Sequence, residues 1–168
     1  AIGFSSCAES DDAASGSTTI NFVGSITSNT TRASGTVWGE DEIGIFMTAT
    51  GTDLEVDGAL SGAANILYKT SGNGIFTAVG NSIGFPEDNS AVDFISYYPY
   101  NADVTSTLTY DVNVSSQTSQ SAIDLLYSNN ATNQNKSSNT GVTSLTFKHQ
   151  LAKVELQISA GSGVSSLT

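Results

Sequence analysis

Short runs that alternate apolar and polar residues recur along this chain, and that period of two limits its fold more than any other feature. Between Ser17 and Thr27, the residues Ile20, Phe22, Gly24 and Ile26 fall on one side, and Asn21, Val23, Ser25 and Thr27 fall on the other. Such a pattern describes a half-buried β-strand. Ile43 to Thr50 reads as a second strand, with Ile43, Ile45 and Met47 on one face and Phe46 and Thr48 on the other. Asn65 to Thr70 and Ile75 to Val79 flank Ser71-Gly72-Asn73-Gly74. Asn and Gly tolerate the positive φ of a tight turn, so this is a hairpin signal. Ala91 to Tyr98 forms the next strand, and Pro99 ends it or marks a sheet edge. Thr107 to Val114 alternates Leu108, Tyr110, Val112 and Val114 against polar neighbours, and Ile123 to Ser128 is a short apolar strand. Ser144 to His149 and Ala152 to Ser159 close the series, with Val154, Leu156 and Ile158 as the buried side of the last segment. Gly51 to Ala64 reads as a long loop with room for one short edge strand, and Asn129 to Thr140 reads as an exposed loop.

About eight to ten short strands at this spacing point to an all-β chain folded as a β-sandwich. Composition agrees. Charged residues make up only 12% of the 168, and polarity rests on Ser, Thr and Asn, so helical faces of Glu, Lys and Arg are scarce. The length suits one domain with a sizeable core. Residues 1–16 read as a leader remnant and flexible tether, 17–159 as the sandwich, and 160–168 as a Gly/Ser-rich exit linker.

Sixteen acidic residues against five basic ones give a net charge of −11. Phosphate-directed nucleic-acid binding is thereby disfavoured, because no basic patch is available to release counterions. No run approaches the ~20 apolar residues of a membrane-spanning helix. Cys7 is the only cysteine, so no disulfide closes within the chain.

The sequence offers no catalytic or metal-binding constellation. HExxH, paired CxxC, GxSxG and P-loop patterns are missing. The carboxylate groups Asp11-Asp12, Glu40-Asp41-Glu42 and Glu87-Asp88 lack the spacing of a calcium loop. The expectation is a non-enzyme without cofactor or metal. His149, the lone histidine, reads as a structural residue. Trp38, Tyr97, Tyr98 and Tyr100 are the candidate ligand aromatics: they fill the core, or they form a sugar-stacking platform.

Several segments together carry a family resemblance. They are Thr31-Arg32-Ala33 with Trp38, Ile43 to Met47, Phe94 to Tyr100, Asp124-Leu125-Leu126-Tyr127, and Phe147-Lys148-His149-Gln150-Leu151-Ala152-Lys153-Val154-Glu155-Leu156. In this order and spacing they resemble the N-terminal half of fimbrillin-family lipoproteins of Bacteroidales bacteria. The resemblance implies a transthyretin-like Greek-key β-sandwich, with a second domain following it. It implies a type V pilus subunit or accessory subunit in cell adhesion, at the cell surface or in the fimbria. Phe4-Ser5-Ser6-Cys7 resembles the end of a lipoprotein signal peptide, and the acidic residues after it resemble a surface-export signal. Cys7 would then carry the lipid that anchors the chain to the outer membrane.

The resemblance also implies processing. Arg32 is the only arginine, and cleavage between Arg32 and Ala33 by an arginine-specific protease would release Ile20, Phe22 and Ile26 from the core. A β-strand of another pilus subunit would fill the vacated groove. The alternative is a lipid-anchored surface protein that binds a host protein or glycan without polymerising.

Overall fold

The computed structural model describes residues 19–27, 37–119, 123–139, 141–152, 157–159 and 161–163. Cys7, Arg32, Ala33, Val154 and Leu156 lie outside them. Among the described residues seven strands and one helical turn follow in order: β1 (Asn21–Ile26), β2 (Glu42–Ala49), α1 (Leu54–Asp57), β3 (Ile66–Thr70), β4 (Ile75–Ala78), β5 (Val92–Tyr98), β6 (Leu126–Gln134) and β7 (Val142–His149).

The alternation read from the sequence sets the faces of these strands. Phe22 and Gly24 of β1 point inward, while Asn21, Val23 and Ser25 face out. β2 is buried on both sides: Ile43, Ile45 and Met47 enter the main core, and Phe46 enters a second cluster with Leu54, Tyr97 and Val104. The β3–β4 hairpin turns through Gly72 and Gly74, at φ of 101° and 75°. Asn73 secures the turn by accepting the Ile75 amide at 3.0 Å.

The strands join in the order β1-β4-β3-β2-β5-β6-β7 and close into a barrel. Every neighbouring pair is antiparallel except β1 and β7, which run parallel over six register positions from Asn21–Val142 to Ile26–Phe147. The closed ring differs from the two stacked sheets expected from strand spacing. Spacing along the chain reports how many strands there are, whereas the parallel β1–β7 contact that joins the sheet edges links residues about 120 positions apart.

Four local expectations are corrected. Thr107 to Val114 forms no strand: Leu108 adopts a positive φ of 50°, and Leu108 and Tyr110 pack onto the second cluster from irregular backbone. The strand expected from Ile123 begins only at Leu126, and as β6 it runs on to Gln134, through residues expected to be loop. Those residues are polar because only Ala131 among Asn129–Gln134 is buried. Ile158, expected on a buried face, is 73% exposed and lies in no strand. Residues 51–64 hold a helical turn, α1, capped by the Asp53 carboxylate, which accepts the Glu55 amide at 2.9 Å.

Beyond its first residues β6 leaves the β7 ladder, whose register covers only Leu126–His149 and Tyr127–Lys148. Asn130 bridges the gap with its side-chain amide, donating to Ser144 O at 3.1 Å and accepting from Thr146 N at 2.6 Å. One side chain here reproduces a strand's donor and acceptor, so β7 keeps its backbone partners.

Candidate functional site

The element of greatest functional interest is β1 and the seat that holds it. β1 lies between β4 and β7, antiparallel to the first and parallel to the second. Ile20 and Phe22 are fully buried, and Ile26 is half-buried against the same core. Phe22 meets the edges of Tyr68 and Phe94, with ring centroids 5.0 and 5.2 Å away. The backbone is tied on both sides. Gly24 N donates to Gly74 O at 2.8 Å, Asn21 N to Gly141 O at 2.9 Å, and Thr27 N to Phe147 O at 2.9 Å. Ile20 N donates to Ile83 O at 3.0 Å, and the Tyr68 hydroxyl accepts from Ile83 N at 3.0 Å. Burial holds this hydroxyl's pKa above the usual tyrosine value, although the Ile83 amide pulls the other way.

Trp38 forms the seat's lock. Its indole N–H donates to Gly24 O at 2.7 Å, and its ring meets Phe76, Phe147 and Tyr98 edge-on at 5.0, 5.1 and 5.8 Å. A Cβ on Gly24 would lie 2.7 Å from Phe76 and 3.3 Å from Trp38. Glycine at this strand position is therefore required by the three aromatic rings that close over it. The sequence signal for this was an isolated Gly within an alternating strand.

The four candidate ligand aromatics do not share one face. Trp38 is 7% exposed, inside the main core. Tyr98 packs half-buried beside it. Tyr97, the preceding residue of β5, points to the opposite side and is 3% exposed. Its hydroxyl lies 2.7 Å from both Asn65 Oδ1 and Asn101 O, and accepts from Asn101 N at 3.2 Å. Burial pushes the pKa values of Tyr97 and Tyr98 up to about 12, and for Tyr98 the neighbouring Asp41 carboxylate adds to the effect. Tyr100 is half-buried, and its amide donates to Glu42 O at 3.0 Å. Tyr97 floors a groove of about 250 Å³ together with Tyr110, Leu125, Tyr127 and Gln150.

His149 ends β7 with its side chain 2% exposed and its Nδ1 2.9 Å from Asp124 Oδ1. The pair fastens β7 to the segment leading into β6. Asp124 was noted in the sequence as part of a motif but not as the partner of His149, because the two are brought together only by the β6–β7 pairing. No group of three or more His, Cys, Asp and Glu side chains is placed to hold a metal among the described residues.

A family model described as fimbrillin-like matches residues 31–168. The chain belongs to the fimbrillin-like family. Over 135 residues this fimbrillin-like chain is 38% identical to a protein of Bacteroides uniformis named as a fimbrium subunit, Fim1C, covering 77% of the chain and 42% of Fim1C. A solved Bacteroides uniformis structure described as a cell adhesion protein superposes with a TM-score of 0.56 at 28% identity, covering 78% of this chain and 47% of that one. A Bacteroides ovatus structure similarly described shares the fold, with a TM-score of 0.53 at 21% identity over 78% of this chain and 52% of its own. The fimbrillin-like chain thus spans about half the length of these relatives. β1 precedes the span matched by the family model, while its β4 and β7 partners lie within it.

Proposed function

We propose that this chain is part of a fimbrial subunit or accessory subunit that serves cell adhesion and assembles by exchanging β1 for a strand of another subunit. One observation carries the reading. β1 is the first described strand, it is inserted between β4 and β7, and its inward residues Ile20 and Phe22 are fully buried. Withdrawing those two side chains forfeits roughly 3–6 kcal/mol of apolar burial. It also frees the β7 backbone edge along six register positions. A groove with an apolar floor and unpaired strand edges is what an added β-strand recognises. Arg32, six residues beyond the end of β1, is the proposed cleavage point, with Ala33 the new first residue.

In the same reading, Cys7 carries a lipid that holds the precursor at the outer membrane, and the two halves of the ring, β3–β4–β1–β7 and β2–β5–β6, correspond to the leaves of a transthyretin-like sandwich. The relatives named as fimbrial and cell adhesion proteins support the adhesive role.

Limited digestion of the full-length gene product with an arginine-specific protease, read on an unboiled gel, tests the proposal. The expected result is one cut after Arg32 and a ladder of stable oligomers. A clean cut that leaves only monomers would overturn strand exchange.

A further inference from the structure

The two halves of the barrel have unlike outer faces. Outside β2, β5 and β6 the chain covers itself: Leu54 of α1 and Val104 pack onto Phe46 and Tyr97. This cover is acidic, carrying Asp53, Glu55, Asp57 and Asp103, all exposed. The charges of Asp53 and Glu55 reach Tyr127 on β6 and hold its pKa up, adding to the effect of burial.

Outside β3, β4, β1 and β7 no described segment forms such a cover. Val23, Ile75, Val79 and Val142 are 36–50% exposed there. Val23 stands directly across from Ile75, and Val142 beside Asn21, so Val23, Ile75 and Val142 lie on one outer face of three adjacent strands. The four strands contain no Asp or Glu, in a chain with 16 of them. They do contain Lys69 and Lys148, both exposed. Lys69 reaches Glu42 of β2 at 3.7 Å across the sheet.

We propose that this face docks the acidic, α1-covered face of a second copy of the chain. Two copies each carrying −11 repel over most approaches. The face whose own strands carry no carboxylate is the approach where repulsion is least; there Lys148 meets opposite charge, while Lys69 already reaches Glu42 within its own chain. β-Branched residues clustered on a sheet face gain by leaving water, which supplies short-range affinity. The two surfaces are different patches of one molecule, so the contact is head-to-tail and can repeat from copy to copy. No strand changes places in it. The contact needs β1, and with it Val23, in its seat, so it belongs to the chain before β1 is released and is tested on the uncut chain.

Sedimentation equilibrium of the 168-residue chain at low and high salt tests the inference. The expected result is a mass that rises with protein concentration at low salt and falls back when salt screens the charges. The double variant Ile75→Glu/Lys148→Glu should weaken association roughly tenfold or more, and so should Glu55→Lys/Asp103→Lys. Mixing the two variants should restore it. All four positions are exposed, and far-UV circular dichroism checks that each variant folds. Carbodiimide cross-linking of the unmodified chain provides a reading that needs no variant: the expected product joins Lys69 or Lys148 of one copy to Glu55 or Asp103 of another. A chain that stays monomeric at every concentration, a mixture that fails to reassociate, or cross-links confined to other residues would overturn the proposal.

Discussion

The indole N–H of Trp38 lies 2.7 Å from the carbonyl oxygen of Gly24, in the centre of β1. Both groups are buried, so each is the other's replacement for water. This bond ties the segment ahead of β2 to the strand whose departure is proposed to open the barrel.

Trp38→Phe should therefore destabilise the chain by about 1–3 kcal/mol, since the Gly24 carbonyl loses its side-chain donor in a dry site. Urea denaturation measures it. A variant as stable as the parent would show that the bond contributes nothing to holding β1.

Gly24→Ala should cost about 1–3 kcal/mol, because the new methyl group would stand 2.7 Å from the Phe76 ring. Val23→Ala, on the outer face of the same strand, should stay within about 0.5 kcal/mol. Thermal melts of the two side by side separate packing from strand propensity. Equal losses would contradict the close approach.

Phe22→Ala should be the most damaging change in β1, at about 3–5 kcal/mol, through loss of the edge contacts to Tyr68 and Phe94. If β1 is the exchanged strand, the same variant should also speed its release. Hydrogen exchange at the β7 amides facing β1 would then quicken more than exchange in β2. Uniform quickening would point to global unfolding instead.

Breaking the His149–Asp124 pair should cost about 1–3 kcal/mol, because a buried polar group loses a hydrogen-bond partner 2.9 Å away. A double-mutant cycle with His149→Asn and Asp124→Asn isolates the coupling. Additive losses would mean that the 2.9 Å contact carries no energy of its own.

Alkaline stability should fall between about pH 10 and 12. Tyr97 and Tyr98 are held up to about 12 by burial, above the ~10 of an unfolded tyrosine. A raised folded-state value favours the protonated fold. The stabilisation is fully present below about pH 10 and is lost as pH rises through the folded value. Tyr97→Phe should flatten part of this loss, read by denaturation from pH 8 to 12. An unchanged slope would remove Tyr97 from the account.

Acid should act in the opposite sense at Asp93. Partial desolvation raises its pKa, but hydrogen bonds from Gly51 N, Asn133 N and Thr50 Oγ1 outweigh that and hold it below the usual carboxylate value. A lowered folded-state value means stability present above the unfolded value of ~3.9 and lost as pH falls through the folded one. Asp93→Asn should be less stable than the parent near neutral pH and converge with it in strong acid. A constant difference across that range would rule out ionisation as the cause.

Much of the barrel was legible in the sequence. β1, β2, the β3–β4 hairpin, β5 and most of β7 fall where alternation places them, and the two-faced burial of β2 follows from its Ile43–Ile45–Met47 and Phe46 pattern. The failures have a common origin. Leu108 and Tyr110 alternate like strand residues, yet they serve as a cover for Tyr97 and pair with nothing. Asn129 to Gln134 look like a loop, yet they are held as strand by β5, through a register interrupted by bulges. In both cases the partner decided the outcome.

The sequence by itself determined which residues could be strands and which side of each is apolar, because a period of two is a local property. Only the tertiary structure decided that β1 runs parallel to β7, that the ring closes, that Trp38 locks β1 and that Asp124 meets His149. Those contacts join residues far apart along the chain. Their energy comes from neighbours that no local pattern names.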